Sequence, residues 1–507
     1  MADIAQRRYL PAIATDIYIS TMLLLFPLFT GFSGYGNITF SKYLFFIIAT
    51  ALWLCAAVIL SVAQKSPLPT LALPQYAAMA FAACCLISFL LSPHKGESLI
   101  GAGRYEGLIT QLMYALIIIG VSLWGKASPH HIICLGISTA ICSVIGIIQL
   151  FNIDVFRLFL GTYSHYDSTY KYSGAFLGTM GNTNVLSAFY CLALPMLFVY
   201  PIISRRRISF LTLLALCPAT FAFIRIWVSG GFLALGLCAL IAAPIILTDV
   251  EKLRRALFMA APVAASAACA FAFNPSYDLV NFSWSFDFSG KAALMIIAAL
   301  ISLAAGAILP RLNIRPRKNS LRIFLICICI AALILGLIFV YFSPAAEGTV
   351  YELRELLHGR IDEKFGSSRI LIWRECLKLF PEYPLFGSGP DTLALRVNVS
   401  FSRFVEETGK TLRSGVDNAH NEYLGYLINI GLVGLCAYLF ILALGLKNWL
   451  KKLFRPEICA MGAAMLCYCI QSFFALGLPL VSPLFLIVLA LLCSGERKYQ
   501  KEMEEIK

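Results

Sequence analysis

Runs of about twenty apolar residues recur along almost the whole chain. Each is long enough for a helix rising 1.5 Å per residue to cross a hydrocarbon core of about 30 Å. Fourteen can be counted, near 17–35, 43–63, 70–91, 107–125, 131–151, 183–203, 209–228, 230–248, 256–274, 291–309, 322–343, 421–446, 458–478 and 479–494. Inside a bilayer the backbone must satisfy its own hydrogen bonds, which favours helices for segments of this length. The expected fold is therefore all-α, a polytopic membrane bundle of about 12–14 transmembrane helices. With 60% hydrophobic and 13% charged residues, an ordinary soluble domain is excluded.

Lysine and arginine set the expected orientation, because basic segments are retained on the cytoplasmic side. Placing Arg7 and Arg8 inside puts 204–207, 250–255, 311–322, 447–455 and the C-terminal ERKYQK on the same side. Both termini are then cytoplasmic, and a large loop carrying short helices is extracytoplasmic. The chain divides into 1–343 with membrane helices 1–11, the loop 344–420, 421–495 with helices 12–14, and a tail, 496–507. The net charge of +13 follows from this topology. Its basic residues form separate short segments and no contiguous face, which argues against a nucleic-acid partner. No small-residue cleavage site follows the first run, so it is read as a retained span.

Seventeen cysteines fall almost entirely in apolar runs, and in the large loop there is only Cys376. That distribution requires no disulfide, and the lack of a CxxC pair with a matching partner argues against zinc. No repeat of 20–50 residues is visible, and the halves are not inverted copies with matching broken helices, which weighs against a transporter. The outer segments 152–180 and 275–289 are rich in aromatic residues, as expected of chain lying in the membrane interface.

Chemistry concentrates between Gly366 and Tyr438, in GSSRILIW at 366–373, PLFGSGP at 384–390 and VDNAHNEYL at 416–424. Two loop helices are expected, over YELRELLHGRIDEKF and SRILIWRECLKLF. In the second, Ile370, Trp373, Leu377 and Phe380 recur at helical spacing and form a stripe to pack on the membrane domain. Arg369 then stands in the first turn of a helix, where free N–H groups also favour anions. It can hold a phosphate with its planar fork, or pair on the surface with Glu375 or Glu406; spacing alone favours the pairing.

His420 precedes the twelfth span, with Asp417 or Asn418 as its expected cap. A helix N-terminus disfavours a cationic ring, so a neutral imidazole able to accept a proton is expected there. A histidine of a capping turn is the alternative. Arg104, in GAGRYEG at 101–107, is either a ligand-binding group between glycines or an interfacial anchor. Arg225 lies near the outer end of an apolar run, where it must snorkel or bind something. Asn182 and Asn184, in GNTN, can bind sugar or cap a helix, and capping is the simpler role.

Taken in order, GRYEG, GTMGNTN, GSSRILIW with PLFGSGP, and AHNEYL followed by GLVGLCAYL resemble the bacterial O-antigen ligase family and its polymerase relatives. The most specific part is R-x-x-x-W, P-L-x-G-x-G and A-H-N-E-Y-L through the loop, and the resemblance extends over about 70–490. It implies a GT-C-type glycosyltransferase of the bacterial cytoplasmic membrane. Such an enzyme takes a glycan from an undecaprenyl-diphosphate-linked donor, without nucleotide sugar, metal or cofactor, and passes it to a glycan, lipid or protein acceptor. Its other partners are membrane lipids. By the resemblance, Arg369 engages the donor diphosphate and His420 activates the acceptor; Arg104, Arg225, Asn182, Asn184, Asn421 and Glu422 complete the candidate substrate-binding set. A Ser-Arg-Gly-like motif of the family reads Val228-Ser229-Gly230-Gly231 here, and Arg225 is the arginine available to substitute. A polymerase of the same family and a lipid-linked glycan transporter are the competing functions.

Overall fold

The computed structural model describes residues 9–65, 70–151, 153–159, 177–277, 282–312, 319–405 and 410–494. Outside them lie Arg7, Arg8, 313–318 and the C-terminal ERKYQK, which bear on orientation, and most of 152–180, expected in the membrane interface. Glu406 does as well.

Each of the fourteen apolar runs is a helix. In chain order the helices are α1 (Leu10–Leu24), α2 (Ile38–Ala63), α3 (Leu73–Leu91), α4 (Lys95–Ile100), α5 (Leu108–Trp124), α6 (Pro129–Leu150), α7 (Thr183–Ile203), α8 (Leu213–Ile226) and α9 (Ser229–Ile246). They continue with α10 (Val250–Ala272), α11 (Gly290–Ile308), α12 (Ser320–Tyr341), α13 (Gly348–Leu357), α14 (Phe365–Leu379), α15 (Glu422–Lys451), α16 (Pro456–Gln471) and α17 (Ser482–Cys493). Among the described residues, ten helical segments are long and apolar enough to cross a membrane, and α1, α5, α16 and α17 are shorter apolar helices. The first run is helical earlier than its hydropathy suggests, because the chain breaks after Leu24, ahead of Pro27.

Helix α7 is the axis of the bundle: 89% of its most apolar window is buried, against 6% for α12, whose apolar side chains are left facing outward. Small residues let helices approach closely. A Cβ on Gly231 would lie 2.3 Å from Ser187 Oγ of α7, and one on Gly462 would lie 2.0 Å from the Trp449 ring. The buried Lys42 of α2 is satisfied by the frayed end of α1, its Nζ donating to Phe26 O (2.8 Å) and Pro27 O (2.9 Å).

Basic segments meet at one end of the bundle, where Arg255 Nη1 donates to Ser204 O at 2.8 Å and Lys452 Nζ to Ser494 O at 3.2 Å. The segments around 101–107, 388–393, 417–422 and 474–477 meet at the other.

Helix α15 is broken at Gly431, whose φ of 73° and ψ of −178° interrupt the ladder of backbone bonds. The PLFGSGP segment fills the gap. Leu432 N donates to Pro384 O (2.9 Å), Val433 N to Leu385 O (3.1 Å), and Gly389 N to Asn429 O (3.0 Å). Irregular backbone at this depth is tolerated because protein groups take up the freed donors and acceptors. The approach is too close for a side chain, since a Cβ on Gly431 would lie 2.2 Å from Leu385 O.

The loop departs from expectation in three respects. Helix α13 stops at Leu357, ahead of Gly359 at φ 73°, and does not run on through Phe365. The inward stripe of α14 is carried by Ile372 and Cys376 with Trp373, Leu379 and Phe380, whereas Leu377 is exposed. This face packs on Leu393, Val416, Ala419 and Ile428, the loop's own return and the start of α15. Two antiparallel hairpins were not anticipated: β1 (Phe273–Tyr277) with β2 (Phe282–Phe286), and β3 (Ser400–Val405) with β4 (Lys410–Gly415). The first is built from the 275–289 segment expected to lie in the interface.

Candidate active site

A small cleft of about 70 Å³, lined by many polar residues, opens where the entrances of α5 and α15 meet the 388–393 turn and the chain between α16 and α17. Its lining includes Arg104, Glu106 and Gln111 from the first, Asp417 to Glu422 with Gly425, Tyr426 and Asn429 from the second, Asp391 from the turn, and Leu476 and Gly477. Four of the expected site residues, Arg104, His420, Asn421 and Glu422, therefore share one cavity.

Of the glycines around Arg104, Gly101 and Gly107 are packed against protein, while Gly103 has open space beside it. Gly101, at φ 118°, has Asp391 Oδ2 where a Cβ would sit, 2.3 Å away. That carboxylate accepts from Arg104 N (3.4 Å) and Glu106 N (3.3 Å), which ties the α5 entrance to the loop. The Arg104 side chain reaches Asp417, Nε to Oδ2 at 2.8 Å, and pairs with it again through Nη2. Burial is the main reason Asp391 titrates high, pushed up to about 6, and it outweighs the backbone N–H bonds that oppose it.

His420 is not in the helix it precedes. Asn421, and neither Asp417 nor Asn418, is the N-cap of α15, its Oδ1 accepting from Leu424 N at 3.0 Å. Asn418 Oδ1 instead accepts from His420 N at 2.8 Å, closing a turn in which His420 takes φ 46°. Asp391, at φ 55°, shares this left-handed conformation, as does Tyr105 between two cleft residues, at φ 59°. Such strain persists where surrounding contacts over-determine it. Among the described residues, no hydrogen bond engages the His420 ring, which faces the cleft. Burial depresses its pKa to about 4, Arg369 and Arg104 adding to the effect while Asp417 opposes it. The imidazole is neutral at any ordinary pH.

Arg369 begins the right-handed part of α14, after Gly366, Ser367 and Ser368 at φ 63°, 59° and 64°. It donates to Gly366 O at 2.6 Å and to Phe474 O at 3.3 Å. No described carboxylate contacts it: Glu375 is engaged by Arg374 and Lys378, so the expected surface pair with Glu375 does not form. Burial lowers its pKa somewhat from the usual arginine range, and Glu352 nearby offsets part of that. One turn on, Trp373 Nε1 donates to Ala419 O at 3.0 Å, fixing this face of α14 beside His420. Arg369 thus stands behind the cleft wall, its charge felt by the imidazole.

The remaining residues are engaged in structure. Glu422 lines the cleft, but its two carboxylate oxygens accept from Tyr438 (2.6 Å) and Ser472 (2.9 Å). Asn182 caps α7, Oδ1 accepting from Asn184 N at 2.8 Å. Arg225 donates to Ala270 O (3.3 Å) and Phe273 O (3.1 Å) at the end of α10, with its guanidinium over the Phe273 ring. Neither asparagine nor Arg225 is among the cleft lining. Sequence reasoning missed Glu106, Gln111, Asp391 and Asn429. Glu106 is the acidic residue of GRYEG and Asp391 directly follows PLFGSGP, so both signals were in hand. One group of potential metal ligands was also missed: Asp16, His130 and His131 bring three ligand atoms within 4.8 Å of one another. It lies beyond the far end of α5 from the cleft, with Asp16 Oδ1 accepting from both Nε2 atoms at 3.0 Å.

Membrane-length helices packed around a cleft with imidazole and guanidinium in its wall define a polytopic membrane protein. Residues 288–439 match the family described as O-antigen ligase, from the start of α11 through the loop to the middle of α15. That match supports an O-antigen ligase-like family for this chain, and the matched stretch contains Arg369, Asp391 and His420. No curated protein matches the chain.

Proposed function

We propose that the protein is a membrane glycosyltransferase that moves a glycan from an undecaprenyl-diphosphate-linked donor to an acceptor hydroxyl, at the membrane face on which the cleft opens. The observation that carries this reading is the His420 ring in the cleft, without a hydrogen bond among the described residues and kept neutral by burial, with Arg369 and Arg104 adding to the effect. Neutral imidazole accepts protons, and guanidinium groups stabilise a departing diphosphate. In one step the acceptor oxygen attacks the anomeric carbon as its proton passes to His420. The bond from that carbon to the phosphate oxygen breaks, and its electron pair leaves with the lipid diphosphate, inverting the configuration. Arg104 and Arg369 balance the charge that develops there, whereas Arg225 acts through the packing of α8 on α10.

Reconstituted protein should release undecaprenyl diphosphate from the donor while extending an acceptor glycan. His420→Ala should lower turnover by roughly 10²–10⁴-fold with donor binding retained. Arg369→Lys should lose rate despite keeping its charge. Movement of intact donor between leaflets, without release, would instead favour a transporter.

A further inference from the structure

Gln111, on the first turn of α5, is 3% exposed, yet its Oε1 has no hydrogen-bond partner among the described residues. Its orientation is fixed by chemistry. Nε2 donates to the carbonyl oxygen of Glu106 (3.1 Å) and to Glu106 Oε2 (2.9 Å), while Tyr114 OH donates to Glu106 Oε1 at 2.7 Å. A flipped amide would set its oxygen against a carbonyl that can only accept, so the NH2 group must face Glu106. The acceptor left over belongs to a residue lining the cleft, and an unsatisfied buried acceptor is costly.

Asn429 is arranged in the complementary sense. Its Oδ1 accepts from Thr392 N (3.2 Å) and Leu393 N (3.1 Å), so the amide that lines the cleft offers its NH2 group. Tyr426 contributes an aromatic ring to the same wall. An acceptor, a donor and a ring face suit a ligand that both gives and receives hydrogen bonds and has an apolar face. Ammonium groups can only donate and so meet the first requirement alone. Hydroxyls on a sugar ring meet all three. Arg104 lines the same cleft as Gln111 and Asn429, so a diphosphate held by Arg104 would carry its first sugar into that cleft.

We propose that Gln111, oriented by Glu106, and Asn429 form a subsite for the hydroxyls of the sugar directly attached to the donor diphosphate, an inference that rests on the donor assignment above. Glu106 is a positioning residue, and Gln111 sets specificity for a glycosylated over a bare lipid diphosphate.

The test is calorimetric binding to the full chain in nanodiscs, with two probes: a short-chain polyprenyl diphosphate carrying one disaccharide, and the same diphosphate without sugar. Wild type should bind the glycosylated probe more tightly. Gln111→Leu should lose roughly tenfold of that preference, about one hydrogen bond, with affinity for the bare diphosphate unchanged. The bare probe also reports a folded site. If Gln111→Leu fails to bind it, Gln111→Met should restore that binding without the sugar preference. Glu106→Gln should weaken the preference partially. Equal preference in wild type and in the variant that binds the bare probe overturns the subsite and leaves the transferase reading standing, as does a wild type that binds both probes equally. A wild type that binds neither removes the donor assignment, and the subsite falls with it.

Discussion

An ordinary histidine titrates near 6.5, and His420 near 4. At pH 5.5 the first is only about 10% neutral and the second about 97%, so the fraction competent to accept a proton differs roughly tenfold. The rate of glycan transfer at saturating donor should therefore stay level from pH 7.5 to about 5, then fall with unit slope as the pH drops through about 4. Single-turnover release of polyprenyl diphosphate, followed across this range, measures it. The electrostatic origin can be reversed in sign. Arg369→Gln removes a charge that depresses the pKa and should move the break upward, whereas Asp417→Asn removes one that raises it and should move the break downward. A wild-type break near 6.5, or a break that does not respond to either substitution, would refute the argument that burial and guanidinium charge hold the ring neutral.

The same depression is a statement about stability. The unfolded chain takes up a proton at His420 near 6.5 and the folded chain only near 4. Stability is thus fully present above pH 6.5 and lost as the pH falls toward 4, by roughly 3 kcal/mol at about 1.4 kcal/mol per unit. His420→Gln should flatten the acid limb of thermal unfolding in nanodiscs by that amount while abolishing transfer.

Asp391 works in the opposite direction. Its pKa rises from 3.8 unfolded to about 6 folded, so its contribution is present below 3.8 and lost as the pH rises through 6. Asp391→Asn, which keeps an acceptor for Arg104 N and Glu106 N, should remove a pH-dependent loss of roughly 3 kcal/mol between pH 4 and 7 in thermal unfolding; an unchanged pH profile would count against that shift. Gly431→Ala places a Cβ against Leu385 O at a positive φ and should destabilise by roughly 2–4 kcal/mol and loosen PLFGSGP, read as new protease sensitivity. Gly236→Ala, in the middle of α9 with nothing within 4 Å of the added carbon, should instead gain up to about 1 kcal/mol.

What the sequence could show depended on the range of the interaction that set each feature. Membrane helices were legible because length and apolarity decide them within one segment, whatever the neighbours do. Helix breaks were less so: Gly431 reads as an ordinary small residue of an apolar run, and only the return of Pro384 to Gly389 makes it a break. The stripe on α14 was read one register off because Leu377 is as apolar as Leu379, and burial was decided by where Val416 and Ile428 come to rest. At the cleft, His420 and Arg369 stood out as polar groups next to spans, but their partners did not. The cap is Asn421 because α15 begins only at Glu422, which leaves Asp417 too far upstream to cap it; the Asp417 carboxylate instead takes Arg104, more than 300 residues away. Nearly as much chain separates Asp391 from Gly101, the glycine that admits it. Glu106 and Gln111 could have been suspected, since a carboxylate and an amide five residues apart at a helix entrance can bond to one another. Which atom of that amide remains unspent is fixed by hydrogen-bond directions, and those exist only once the chain has folded around the cleft.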